Sequence, residues 1–394
     1  MPDVAIVGGG IIGTTCALEL AGRGASVTML ERQELAAGAS GRNQGWFVLS
    51  SDPACAPMSR VSLDRYLGLI EDSPVPVRFD REPVGHLLVT RDAGATALVE
   101  ERARAWAATG VQAQALDAAG LRTEEPALAD GFAAAWLIEQ GRRIEPAALT
   151  VAHALRAREL GAEILRHTMV RSLTTSGDRV TGVVTDDGVI PADTVIVAAG
   201  PWSAPLVRPA GFDLPVTGSR GWIVELAAPQ GLLRHLIEEE VDAPPAWQAV
   251  ADGEGFPTAA AFVAAGHAPP SVVALLHAES DGTVVCGASH HPALRAEPDD
   301  LDAPRRIVER AVAVVPALAD TTLRGIRWGI RPMTPDGRPI VGWLGDGLFA
   351  AAGHGPEGIL LGGGTGALVA ALVIGEEPPF DPGPFDPSRF PGSP

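Results

Sequence analysis

Asp3-Val4-Ala5-Ile6-Val7-Gly8-Gly9-Gly10-Ile11-Ile12-Gly13 is followed, 18 residues beyond Gly13, by Glu31. The apolar residues 3–7 predict a short strand, Gly8–Gly10 a turn, residues 11–23 an apolar helix closed near Gly24, and residues 26–30 a second strand. The turn reads GxGxxG. Gly8 permits the tight turn, Gly10 lets backbone approach a pyrophosphate, and Gly13 lets the helix pack closely on the strand. Ile11 and Ile12 open the helix, whose amides and dipole then face phosphate. Glu31 can accept hydrogen bonds from both hydroxyls of a ribose and repels a 2′-phosphate. Strand, turn, helix, strand and acid together predict a dinucleotide site, without separating FAD from NAD. Cys16, inside the helix, reads as a small buried residue.

The chain has 394 residues, two to three domains at roughly 150 residues each. Hydrophobic residues are 46% and charged residues 20%, which excludes a disordered or fibrous chain. All 30 basic residues are arginine. The absence of lysine excludes a lysine Schiff base and a P-loop. A net charge of -18 with no run of arginine argues against nucleic acid and anionic membrane as partners. Cys16, Cys55 and Cys286 lie far apart with no CxxC, and no HExxH is present, so no metal is expected. Sparse cysteine and no signal-type N-terminus predict a cytoplasmic protein. Residues 358–375 are uncharged but hold six glycines, which favours a buried helix over a membrane span.

Beyond the first unit, Gly38, Gly41 and Gly45 punctuate a small-residue loop over 36–45. Residues 92–108 and 146–160 read as helices, the second with Pro146 at its start and Gly161 beyond its end. Strands with turn signals fill 163–200, closing in Thr194–Ala198, read as the end of an inserted sheet. Strands and loops over 213–300, with Pro/Ala-rich patches at 243–246 and 264–270, predict an inserted antiparallel domain. The tail after Glu376 is Pro-rich and reads as irregular. The fold class expected is α/β with an α+β second domain. A discontinuous Rossmann-like domain (1–76, 141–207, 325–394) would bind the nucleotide, and residues 77–140 and 208–324 the substrate.

Further segments narrow the chemistry. They are Gly38-Ala39-Ser40-Gly41-Arg42-Asn43-Gln44-Gly45, Val195-Ile196-Val197-Ala198-Ala199-Gly200-Pro201-Trp202, Gly329-Ile330-Arg331-Pro332-Met333-Thr334-Pro335-Asp336-Gly337-Arg338-Pro339, and Gly353-His354-Gly355-Pro356-Glu357-Gly358-Ile359-Leu360. In this order they resemble the D-amino acid oxidase family of flavoproteins, which includes glycine oxidase, sarcosine oxidase and D-amino acid dehydrogenase. The resemblance runs from residue 8 to 360 and leaves about 225–280 unmatched.

The resemblance implies FAD, held by Gly8, Gly10, Ile11, Ile12, Gly13, Glu31, Arg32, Ala39, Ser40, Arg42, Asn43, Gln44, Gly45 and Trp46. It also implies Val170, Ala199, Gly200, Trp202, His354, Gly355, Gly358, Ile359 and Leu360, with Val170 at the adenine. Gly329 stands where sarcosine oxidase carries a flavin-linking cysteine, and Gly45-Trp46-Phe47 offers no histidine, so the FAD is expected to be non-covalent. Arg331 coincides with the family's carboxylate-binding arginine, and its planar fork suits that anion. Trp46 and His354 are further candidates at the reacting centre, ahead of Trp222 and His290. Tyr66, the single tyrosine, lies outside the region where relatives place theirs.

The implied reaction is hydride transfer from an amino acid or amine Cα–H to flavin N5. The imine then hydrolyses to an oxo acid plus ammonia or an amine. Oxygen, a quinone or an electron-transfer protein could accept the electrons, and a homo-oligomer is left open. An NAD-dependent dehydrogenase, or a flavin-binding redox subunit without turnover, stands as the alternative. Glu357 has two readings. It is either a helix-end carboxylate favoured by the dipole, or an acid facing the substrate and favouring a second cationic group.

Overall fold

Alternation along the first strand decides the central layer. Val4 and Ile6 enter one apolar core, and Ala5 and Val7 enter another on the opposite face. A strand buried on both faces belongs inside a covered parallel sheet. In the structure, a computed structural model describing residues 3–241, 271–292 and 302–390, Asp3–Val7 is such a strand. It pairs in parallel with Ser26–Leu30 on one side and Thr194–Val197 on the other. Glu163–Leu165 and Leu348–Ala352 extend the sheet in parallel, and Ile340–Gly345 closes one edge antiparallel.

The helices Ile11–Gly22, Ala56–Glu71, Pro146–Glu159 and Gly358–Ile374 cover one side of this sheet. Gly358–Ile374 is apolar enough to cross a membrane by composition, yet most of it is buried against the first two of these. Its glycines explain the closeness. A Cβ at Gly364 would meet the Met58 carbonyl oxygen, and one at Gly366 would lie 2.8 Å from the Thr15 backbone. The three-stranded meander Val170–Ser176, Arg179–Thr185 and Gly188–Pro191 packs on the other face, through Val180 and Val183.

A second, eight-stranded sheet runs in the order Thr322–Met333, Thr217–Ala227, Thr283–Pro292, Ser271–Ala278, Leu236–Glu239, His86–Thr90, Ala134–Ile138, Ala113–Ala115. Every pairing is antiparallel except that of Leu236–Glu239 with His86–Thr90. The helix Asp302–Val314 packs its Ile307 and Ala311 onto one face.

Three expectations change. Thr194–Val197 does not end an inserted sheet; its four buried apolar residues place it inside the parallel one. The boundary expected at 325 falls within the single strand Thr322–Met333, whose register with Thr217–Ala227 spans both sides of it. The tail after Glu376 is held rather than loose, because Phe385 is fully buried and Arg389 pairs with Asp336 at 2.7 Å. The Pro/Ala-rich patches at 243–246 and 264–270 lie outside the described residues.

Candidate active site

A cavity of about 560 Å³ opens where the parallel strands end. Its wall takes Gly8, Glu31, Ala199 and Ala352 from the C-terminal ends of four neighbouring strands, the usual ligand crevice of such a sheet. Gly8 has φ of +119°, open to glycine, and a Cβ there would strike the Ala198 carbonyl oxygen. A Cβ at Gly10 would come within 2.9 Å of Ser40 Oγ, which accepts the Ile11 amide at the helix start. Glu31 Oε2 accepts the Gly9 amide at 2.7 Å and Oε1 the Gln33 amide at 2.8 Å, so the acid braces the glycine turn while lining the cavity.

The loop after the second strand folds into the short helix Ala39–Arg42. Asn43 fastens it, donating to the Ala39 and Ser40 carbonyls and accepting the Gly45 amide. Gln44 donates to the Leu275 carbonyl at 2.6 Å, tying this loop to the second sheet. Arg42, Val170, Gly200 and Trp202 also reach the cavity, and the Arg32 guanidinium lies 3.8 Å over the Trp202 ring.

Arg331, Trp46, His354 and Glu357 line the same cavity. Arg331 donates to the Ser289 carbonyl at 3.1 Å and lies against the Gly221 backbone. Burial pushes its pKa down to about 10, and no described residue forms an ion pair with it. A guanidinium in that state is stabilised by an incoming anion. The Trp46 indole donates to His277 Nδ1 at 2.8 Å, which leaves the proton of His277 on Nε2, donated to Glu279 at 3.2 Å. His354 lies 2.9 Å from Thr365 Oγ1; that hydroxyl donates to Met58 Sδ, so His354 Nε2 is the donor to it. Burial holds the pKa of His354 down to about 3, and the ring stays neutral. Glu357 accepts from Ser50 Oγ at 3.1 Å; burial raises its pKa, with Asp52 adding to the shift.

Residues 3–372 match the family described as FAD dependent oxidoreductase. The chain belongs to this family. An uncharacterised oxidoreductase of Bacillus subtilis is 31% identical, over 98% of this chain and 99% of its own length. A glycine oxidase of Pseudomonas aeruginosa is 29% identical over 98% of each chain. The crystal structure of glycine oxidase from Geobacillus kaustophilus superposes with a TM-score of 0.85 at 26% identity, covering 99% of both chains. FAD is therefore the cofactor, and the choice that GxGxxG leaves open between FAD and NAD is closed.

The residues present fit FAD. The glycine turn and the helix start at Ile11 and Ile12 suit its pyrophosphate, and Glu31 suits its ribose. Gly45, Ala39, Gly355, Gly358, Ile359 and Leu360 bring backbone to the other end of the cavity, as a flavin ring requires. Among the described residues no cysteine lines the wall. Gly13 departs from the expected set: it lies beneath the wall, where a Cβ would collide with the Gly8 carbonyl oxygen. Its part is to hold the turn's shape for this FAD-dependent oxidoreductase.

Sequence reasoning passed over His86, Arg102, Trp106 and Glu238, all of which line the cavity. His86 Nε2 pairs with Glu238 at 3.0 Å, and Arg102 pairs with Glu238 at 2.9 Å and with Glu240. The His86 ring meets Trp46 and Trp106 edge-on at 5.5 and 5.4 Å. Trp222 is buried in the second sheet and does not reach the cavity, and His290 lies behind Arg331, whose charge joins burial in lowering its pKa. Tyr66 is fully buried, donating to the Ile359 carbonyl and accepting the Gly363 amide, so it steadies the last helix.

Proposed function

We propose that this FAD-dependent oxidoreductase oxidises the C–N bond of an amino acid or N-substituted amino acid, of the D-amino acid, glycine or sarcosine type. The observation that carries the reading is Arg331, a guanidinium sunk in the cavity wall with the Ser289 carbonyl as its acceptor. The likeness to glycine oxidases over nearly the whole chain supports the same substrate class.

Arg331 would take the substrate carboxylate bidentately and fix the α-carbon relative to the cavity floor. Trp46, held by His277, and the apolar Ile359 and Leu360 would exclude water around that carbon. Bound FAD supplies the acceptor for the hydride that leaves the α-carbon. The amine must be neutral at that moment, and its lone pair forms the C=N bond as the hydride departs. Water then adds to the imine carbon and the nitrogen leaves, giving an oxo acid and ammonia or an amine. No side-chain base is required, because the α-hydrogen leaves with its electron pair.

A carboxylate requirement tests the reading. Anaerobic reduction of the bound flavin should follow addition of the right amino acid, and the same amine without its carboxylate should reduce it at least about a hundredfold more slowly. Equal rates for the pair would overturn it.

A further inference from the structure

Arg331 shares its end of the cavity with acidic side chains. The strand carrying Arg331 packs against the turn Gly355–Glu357, and the Arg102 charge is felt at Glu357. Arg102 in turn pairs with Glu238 and Glu240. This cluster is acid-rich: two carboxylates share one guanidinium, and Glu357 adds a third. Arg102 is already committed, so it offers no place for a second substrate anion.

Among the described residues neither Arg331 nor Glu357 is in an ion pair. Glu357 keeps one hydrogen bond, from Ser50. A ligand carrying one negative and one positive charge would satisfy both groups at once. The faces of Trp46 and Trp106, close to Glu238 through His86, also favour a cation over an anion. We propose that this end of the cavity selects an amino acid whose side chain ends in a cationic group, an ammonium or guanidinium placed at Glu357 and Glu238 while the α-carboxylate sits on Arg331. The inference rests on the function proposed above. The cation is not the α-ammonium, because a carboxylate fixed there would hold the proton that must be lost before hydride transfer.

The test compares lysine with 2-aminoheptanoate, in which a methyl replaces the terminal ammonium, as reductants of the flavin in the wild-type holoenzyme. Both enantiomers of each are used. Lysine should be preferred at least tenfold in kcat/KM, through a lower KM. Glu357→Gln should cut that preference at least tenfold. The ratio separates selection from damage, since a structural role would lower both substrates together and leave it unchanged. A readout without turnover accompanies it: 6-aminohexanoate should raise the Tm of the holoenzyme more than hexanoate does. A wild-type preference for 2-aminoheptanoate, or a preference for lysine untouched by Glu357→Gln, overturns the inference and leaves the proposed function standing. Reduction by no amino acid at all overturns both.

Discussion

Trp46 and His277 are joined by a 2.8 Å hydrogen bond from indole Nε1 to imidazole Nδ1, and through it the second sheet positions a ring of the cavity wall. Behind His277 stand Glu279 and then Arg78, which pairs with Glu279 at 3.1 Å near the surface. Burial lowers the pKa of His277 more than Glu279 raises it, so the ring is a neutral acceptor for the indole. Trp46→Phe keeps an aromatic ring but strands a buried acceptor, at a cost of about 1–3 kcal/mol. Thermal melts should show that loss, and kinetics a raised KM. An unchanged Tm and KM would mean the bond positions nothing.

Gly13→Ala should yield protein depleted of FAD. The added methyl meets the Gly8 carbonyl oxygen, so the turn that receives the pyrophosphate must move. The ratio of flavin to protein absorbance checks this in purified material. Full flavin content would contradict the role given to that turn.

The nucleotide half of the site was legible because its demands fall on neighbouring residues. Gly8, Gly10 and Gly13 answer to one turn, and Ser40 and Asn43 to one short loop. The substrate half follows another rule. His86 and Glu238 meet because Leu236–Glu239 pairs in parallel with His86–Thr90, and Arg102 reaches them from a separate helix. No spacing in the sequence encodes that meeting. Only Arg331, inside a motif, marked this end. The strand Thr194–Val197 was misplaced for a related reason: four apolar residues state that a strand is buried, but not in which sheet.

Packing of the last helix gives a third prediction. At Gly364 an added methyl would press on the Met58 carbonyl and stand 2.7 Å from Met58 Cγ. Gly364→Ala should therefore lose about 1–3 kcal/mol, the usual cost of overpacking, or more if the backbone cannot shift. Chemical denaturation measures it. A neutral or stabilising effect would mean that the two helices are not in close contact.

Glu357 gives a pH-dependent prediction. Burial and Asp52 raise its pKa above the ordinary 4.5. The folded state therefore holds a proton that the unfolded state has released, and stability falls as pH rises from 4.5 through the folded value. Glu357→Gln removes the titration. Its Tm relative to wild type should become more favourable between pH 5 and pH 8, within about the range where such a buried acid titrates. A difference that is flat, or that runs the other way, would place the carboxylate in solvent.

The central claim is that this flavoprotein takes an amino acid by its carboxylate at Arg331. The measurement is anaerobic titration of wild type, Arg331→Lys and Arg331→Ala with an amino acid panel, following the flavin absorption bands. Wild type should bleach, and both variants should keep their flavin. Arg331→Ala should lose about 2–5 kcal/mol in kcat/KM, a factor of roughly 30 to several thousand. Arg331→Lys should recover little, since a point charge does not reproduce the fork. Bleaching of all three proteins with equal efficiency would contradict the account.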